Sequence, residues 1–342
     1  MRITWLISSA VTQVDGQWYS PLASLRYRVL APMRYLESRG HRNHFLPLDP
    51  KPVGDETAHA LAADVVVVSK VLAQGSVELA GRARALGARV VVDLCDDHFD
   101  TPDLGPAYHA LCRLADRVTA STAAMRDVIA KRTGKRAALI DDPYEGPPGA
   151  VRFEPPHDRT RLLWFGHPVN FDTVADMMPK LGGLSRTTPL SLHVVSNATN
   201  SDICSYLDEI DRKFRPGLAT HFTPWNPQAT WQALAKCDLV VVPSLPSAKK
   251  LVKSPNRVVE PLRAGRFVIA YPLPSYVELS EYVWLGENIA DGVAWALANR
   301  DEVRRRVAGG QAHINRRFSP LSIGQVWEAV LTQTVECERQ AA

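Results

Sequence analysis

The stretch 253-KSPNRVVEPLRAGRFVIAYPLPSYVEL-279 places a short apolar-faced run between a Ser-Pro start and a glycine stop, then returns as a strand that ends in prolines. Ser254 is the expected N-cap and Pro255 the expected first helical residue. The helix reads through to Gly265, and "RFVIAYPLP" follows as a buried strand. Free amides and the positive end of the helix dipole then point back toward "KLVKSPN". A helix start beside Lys253 suits a phosphate or another anion. Glu260 lies near mid-helix, spaced to offer its carboxylate to a pair of hydroxyls one to two turns beyond that anion. Ser-Pro starts and Gly stops are also ordinary helix punctuation, so the stretch alone leaves both readings open.

Outward from this stretch, the chain alternates strand and helix patterns. "RITWLISS", "HRNHFLPL", "ADVVVVSK" and "RVVVDLCDD" read as strands, and the continuous valine runs are those of strands buried on both faces. Helical patterns such as "LRYRVLAPMRYLESRG" and "SVELAGRARALGA" lie between them and close on glycine. After the proline-dense stretch "PYEGPPGAVRFEPPHD" the alternation restarts with "TRLLWFGHP". The pattern predicts an α/β protein of two Rossmann-like, doubly wound parallel-sheet domains facing a cleft. The expected domains are 1–147 and 148–319, with a last helix over 320–340 that packs back on the first.

A chain of 342 residues is comfortable for two domains, and its 46% hydrophobic and 22% charged content is that of a globular protein. The formal charge of +4 falls short of a nucleic-acid footprint, and there is no basic stripe with interleaved aromatics. It fits an anionic ligand or a membrane surface, although "EVRRRVAGG" and "INRRF" read more simply as solvated helix faces. Five cysteines without C-x-x-C spacing indicate neither a disulfide framework nor a zinc site, which points to a reducing cytoplasm. "MRITWLISSA" reads as a first strand rather than a signal peptide, and no run approaches membrane-span length. At most, peripheral association with the inner face of a membrane is expected.

The opening stretch resembles the donor-binding signature of GT-B glycosyltransferases, most like the large retaining group known as family 4, or group 1. Those enzymes carry a Glu, seven residues and a second Glu, then a small-residue helix end and "G-x-P-V-I-A". Glu260 matches the second glutamate, and "RAGRFVIAYPLPSYVEL" matches the continuation. The first glutamate is replaced by Val252, and "KSPNR" is similar to a divergent branch with Lys-Ser-x-Asn-(Arg/Lys) before the glutamate.

The resemblance implies transfer of a sugar from a nucleotide-diphosphate donor to an acceptor hydroxyl, with retention and without a metal or other cofactor. The acceptor would be a glycan, a lipid-linked molecule or a natural product. Lys253, Ser254, Asn256 and Arg257 would meet the diphosphate and Glu260 the ribose. "LLWFGHPVNF" looks like the first donor-domain strand, which puts Gly166 and His167 near the phosphates. "THFTPWNPQATWQALAKC" resembles the base-binding segment and nominates Thr223 and Trp225, although Trp225 reads almost equally well as a core residue.

"RVVVDLCDDHFD" places Asp96, Asp97 and His98 at a strand end. A terpene-synthase metal motif is rejected because a valine-rich strand leads into it. A phosphatase Asp-x-Asp is rejected because Asp93 and Asp96 are three apart. What remains is an acceptor edge, with Asp97 or His98 taking a hydroxyl proton, or a carboxylate cluster that caps the next turn. Ser9, Arg26 and Arg28 are assigned to the same edge, Arg28 as an anion binder. Two rivals stand beside transfer: a nucleotide-sugar epimerase on the same plan, and a non-catalytic sugar-nucleotide binder.

Overall fold

The computed structural model describes residues 1–8, 11–14, 16–48, 54–69, 74–155, 158–197 and 201–336. It divides into two compact units. Unit 1 comprises Met1–Pro143, Ala248–Ser254 and Phe318–Ala342, and unit 2 comprises Tyr144–Ser247 and Pro255–Arg317.

Unit 1 is built on β1 (Arg2–Ile7), a small hairpin of β2 (Thr12–Val14) and β3 (Gln17–Tyr19), then β4 (Arg42–Pro47), β5 (Val65–Ser69), β6 (Arg89–Leu94), β7 (Arg117–Ala120) and β8 (Ala138–Leu139). Its six-stranded sheet runs β4-β1-β5-β6-β7-β8, and every pairing in it is parallel. All five residues of β5, Val-Val-Val-Val-Ser, are buried, because a central parallel strand is covered on both faces.

The helix Pro320–Glu336 belongs to this unit and packs on the helix Ala31–Ser38. Trp327 meets Trp5 edge-on at 5.4 Å, and Tyr35 donates to Glu328 at 2.9 Å. Gly324 is required where the helices cross, because a Cβ there would collide with the Tyr35 ring. Ile323, Trp327 and Leu331 are buried in the contact, each contributing roughly 1.5–3 kcal/mol.

Unit 2 carries β9 (Thr160–Phe165), β10 (Leu190–Ser196), β11 (Leu218–Pro224), β12 (Leu239–Val242), β13 (Phe267–Ala270) and β14 (Trp284–Leu285). The order β11-β10-β9-β12-β13-β14, again all parallel, is the doubly wound arrangement in which β9 and β12 flank the point where chain direction across the sheet reverses. In unit 1 the corresponding reversal lies between β1 and β5. Ligands in such sheets sit beyond the carboxyl ends of the strands at these points.

The quoted stretch folds differently from its sequence reading at one end. The helix spans Asn256–Arg263, with Pro255 in the cap position and no side-chain cap. Ser254 belongs to unit 1, where its hydroxyl bonds to Asp142, a charge-assisted partner stronger than a backbone amide. The other end follows the expectation. Gly265 adopts φ +72° and lies so close to Ala150 that a Cβ would strike its carbonyl oxygen. Arg266 then donates to the carbonyls of Leu234, Ala235 and Ala150 at 2.8, 2.9 and 3.0 Å, fixing the turn. The segment 248–254, placed by sequence in the second domain, is part of unit 1.

Candidate functional site

At the carboxyl edge of unit 1, Ser69, Asp93 and Thr119 stand in one row, paired in register across β5, β6 and β7. Asp93 accepts from the Ser69 hydroxyl at 3.0 Å and the Thr119 hydroxyl at 2.7 Å. Arg28 reaches the same carboxylate through Nε at 3.1 Å and Nη2 at 2.5 Å. Its Nη1 donates to Asp142 at 3.0 Å and to the Ile140 carbonyl. The guanidinium lies over the Trp327 ring. Only 1% of Arg28 is exposed. Burial opposes its charge, but Asp93 and Asp142 outweigh burial and hold its pKa above the ordinary value. Burial pushes the Asp142 carboxyl up, against the pull of Arg28 and Ser254.

This replaces the sequence reading of Arg28 as an anion binder, because two internal carboxylates already occupy its donors. Arg26 is also buried, and its Nη1 donates to the carbonyls of Ser20 and Pro21 at 3.1 and 3.0 Å. It ties down its own loop instead of facing a ligand. Ser9 lies outside the described residues.

Beyond β6, the Asp97 carboxylate accepts from the Phe99 amide at 3.2 Å, closing an Asx turn. His98 Nδ1 lies 3.4 Å from the Thr101 hydroxyl, and its ring packs edge-on against Tyr108. Tyr108 donates to the Asp96 carbonyl at 3.1 Å, and burial holds its hydroxyl pKa well above the ordinary value. The Asp96 carboxylate pairs with Lys253 Nζ. Lys253 was expected to meet a diphosphate; in the structure its charge is taken by an aspartate of its own unit. Asp97 and His98 stay half-buried at the edge.

In unit 2, Arg257 lies against the end of β9, one of the two strands that flank the reversal. Its guanidinium sits 5.2 Å from the Trp164 ring centroid and 5.9 Å from that of Phe165, the last residue of β9. Its Nε and Nη2 are buried without a hydrogen-bond partner, and among the described residues no carboxylate pairs with it. Burial lowers its pKa, with the Tyr276 hydroxyl the opposing influence. The next residue after β9 is Gly166, whose missing Cβ would crowd Trp164 at 3.1 Å and approach the Arg257 guanidinium carbon at 3.5 Å. The Gly166 carbonyl accepts from the Ser196 hydroxyl at 2.9 Å. His167 caps the short turn Pro168–Asn170, with Nδ1 accepting from the Val169 amide at 3.3 Å, so in this state it serves the turn.

Glu260 is buried and already engaged: its two oxygens accept the amides of Glu145 and Gly146 at 2.7 and 2.9 Å. The carboxylate expected to hold ribose hydroxyls instead clamps the segment that enters unit 2. Asn256 is buried at the helix start. Thr223 accepts from or donates to His193 at 2.8 Å and His221 at 3.3 Å, and the two imidazoles pack at 4.7 Å. Burial, His221 and Lys236 lower the His193 pKa to about 4. Trp225 is half-buried, and its amide donates to the Ser196 carbonyl at 2.8 Å.

Sequence reasoning missed Asp93 and Asp142 as the partners of Arg28. The signal was present: Asp93 is the one charged residue inside the apolar run "VVVDL", and a carboxylate in a fully buried strand needs a cation. Among the described residues, no cluster of three His, Cys, Asp or Glu side chains is placed to hold a metal ion. No described helix is long and apolar enough to cross a membrane.

Neither a family model nor a curated protein matches the sequence. Solved structures do match the fold across nearly the whole chain. The Anabaena protein HepE in complex with UDP-glucose is 16% identical over 97% of this chain and 100% of its own, with a TM-score of 0.69. A glycosyltransferase from Rickettsia africae is 10% identical over 98% of both chains, with a TM-score of 0.75. An E. coli protein bound with UDP-2-fluoro glucose is 10% identical over 97% of this chain and 99% of its own, at 0.64. The two parallel six-stranded sheets are those of the GT-B fold.

Proposed function

We propose that the chain is a glycosyltransferase that takes a nucleotide-diphosphate sugar as donor, with unit 2 holding the nucleotide. The observation that carries this is Arg257: a half-buried cation with two buried, unpartnered donors, beside Gly166 at the end of β9, one of the two strands that flank the reversal. Such donors are costly to leave unmade, and an anion that accepts from them recovers the cost. The neighbours crystallised with UDP-glucose and UDP-2-fluoro glucose supply the class of ligand that supports the reading.

The chemistry follows from leaving-group charge. As the acceptor oxygen bonds to the anomeric carbon, the sugar–phosphate bond breaks and its electron pair stays on the diphosphate. A fixed guanidinium stabilises that charge more in the transition state than in the ground state. The acceptor's proton goes to a side-chain base, for which Asp97 and His98 are the candidates, or to a leaving phosphate oxygen. The second route needs no protein base and suits retention. No step is assigned to a metal, and transfer without one is part of this proposal.

A thermal-shift screen of nucleoside diphosphates and their sugars tests the donor site, since a ligand of the folded state raises the melting temperature. The expected result is a shift with one base, reduced in Arg257→Gln. A panel without any shift would end the reading. Asp97→Asn and His98→Gln are expected to keep that shift and to lower transfer. A second reading, a sugar-nucleotide binder without turnover, is favoured by Val252, an apolar residue where the resembled family has its first glutamate. Product analysis with donor and a broad acceptor set separates the two, and donor alone reveals an epimerase.

A further inference from the structure

The loop between β12 and β13 does not stay with the sheet it connects. Residues 248–254 are part of unit 1. Val252 is 2% exposed and packs into the hydrophobic core beneath β6 and β7. Its carbonyl accepts from the Thr122 hydroxyl at 2.9 Å, and the Thr122 hydroxyl oxygen in turn accepts from the Met125 amide at 3.0 Å. One hydroxyl thus uses its single proton on the loop and a lone pair on the following helix. On one side of Lys253, Val252 is sunk in the core; on the other, Ser254 bonds to Asp142. Lys253 is held on both sides, yet its own side chain is 50% exposed where it meets Asp96, at 11%.

We propose that residues 248–254 form a strap seated in unit 1 by Val252 and Thr122, and that Asp96 is a positioning residue which holds Lys253 until an anionic phosphate group takes it. A buried neighbour on each side fixes the lysine's backbone. The lysine end of the pair is half in water while the Asp96 carboxylate is largely covered, so the exchange needs a multiply charged phosphate, which outweighs the single carboxylate at the exposed ammonium. The strap stands on the contacts alone. The exchange of partners rests on the donor reading above.

The two parts are tested separately. In the ligand-free protein, amide hydrogen exchange over 250–254 is expected to be slow in the wild type. It should quicken about tenfold or more in Thr122→Val and Val252→Ala, and return to slow in Thr122→Ser. Strand β5, in the same unit and buried throughout, serves as internal reference for the stability of that unit. Equally fast exchange over 250–254 in all four proteins would remove the strap. For the exchange of partners, UDP is titrated at low salt. Asp96→Asn should bind it roughly threefold more tightly, and that gain should vanish in a Lys253→Gln background. An unchanged affinity, or the same gain without Lys253, overturns the role of Asp96. If UDP and the other nucleoside diphosphates fail to bind the wild type, the donor reading and the exchange fall together while the amide data decide the strap.

Discussion

Arg28 is a buried arginine and Arg257 a half-buried one, both near the carboxyl edges of parallel sheets, and their surroundings are opposite. Arg28 divides its donors between two carboxylates and a carbonyl, and those carboxylates raise its pKa despite burial. Arg257 lies against aromatic rings with two donors unmet, and burial lowers its pKa. A charge completed by its own fold is structure. A charge whose donors the fold covers and leaves unmet carries a desolvation cost that its own structure does not recover. The same residue type at comparable places therefore meets different surroundings, and the partners alone distinguish them.

The largest expected effect breaks the complete side of this comparison. Arg28→Met leaves Asp93 and Asp142 buried without their cation, and loss of one partner of a buried pair costs about 3–5 kcal/mol. Urea denaturation should show that loss. A variant as stable as the wild type would mean the network is not the keystone of the unit 1 edge. Glu260→Gln comes next. Glu260 is a carboxylate of unit 2 completed by main-chain amides, and removing its charge should cost roughly 1–3 kcal/mol. If nucleotide affinity fell while stability held, Glu260 would be a ligand group after all.

Arg257→Met sharpens the incomplete side, because stability and binding should move in opposite directions. Removing an uncompensated guanidinium while keeping an apolar stem on Trp164 should stabilise the protein by about 1 kcal/mol. Nucleoside-diphosphate affinity should fall at least about tenfold, or 1.4 kcal/mol. Parallel calorimetric melts and titrations read both. Lower stability with unchanged affinity would make Arg257 a second Arg28.

These contrasts explain what the sequence did and did not disclose. Valine runs, glycine stops and the proline-dense stretch are local signals, and they were enough for two doubly wound sheets. The Gly265 turn was equally legible, because its backbone demand is written in one residue. The roles of Arg28 and Glu260 were not. Asp93 lies 65 residues from Arg28, and the amides that occupy Glu260 lie 114 and 115 residues away. A motif gives a side chain its chemical capacity, but its partners arrive by tertiary pairing. Lys253 is the same case, since a lysine before a helix reads as belonging to that helix, while Val252 beside it is sunk in the other unit's core. The surroundings of Arg257 are more local, β9 and its own helix, so its place beside Trp164 and Phe165 depends on fewer distant pairings.

The smallest prediction extends the comparison to a second base in unit 2. If that unit shapes its ionisable groups by burial rather than by carboxylate partners, His193 belongs with Arg257. Its pKa is lowered to about 4 by burial, then by His221 and Lys236. The fold therefore keeps His193 neutral down to about pH 4, whereas the unfolded chain protonates it near the ordinary histidine value of about 6.5. Between those values the unfolded state binds more protons, so this contribution to stability is full above the upper value and declines as pH falls toward the lower one. For a half-buried ring the loss is on the order of 1 kcal/mol after discounting for solvent screening. His193→Gln, which keeps a hydrogen bond to Thr223 within reach, should flatten the slope of stability against pH across that window. An identical slope in the variant would place the proton uptake elsewhere and leave Arg257 as an isolated case rather than one instance of a rule for the unit.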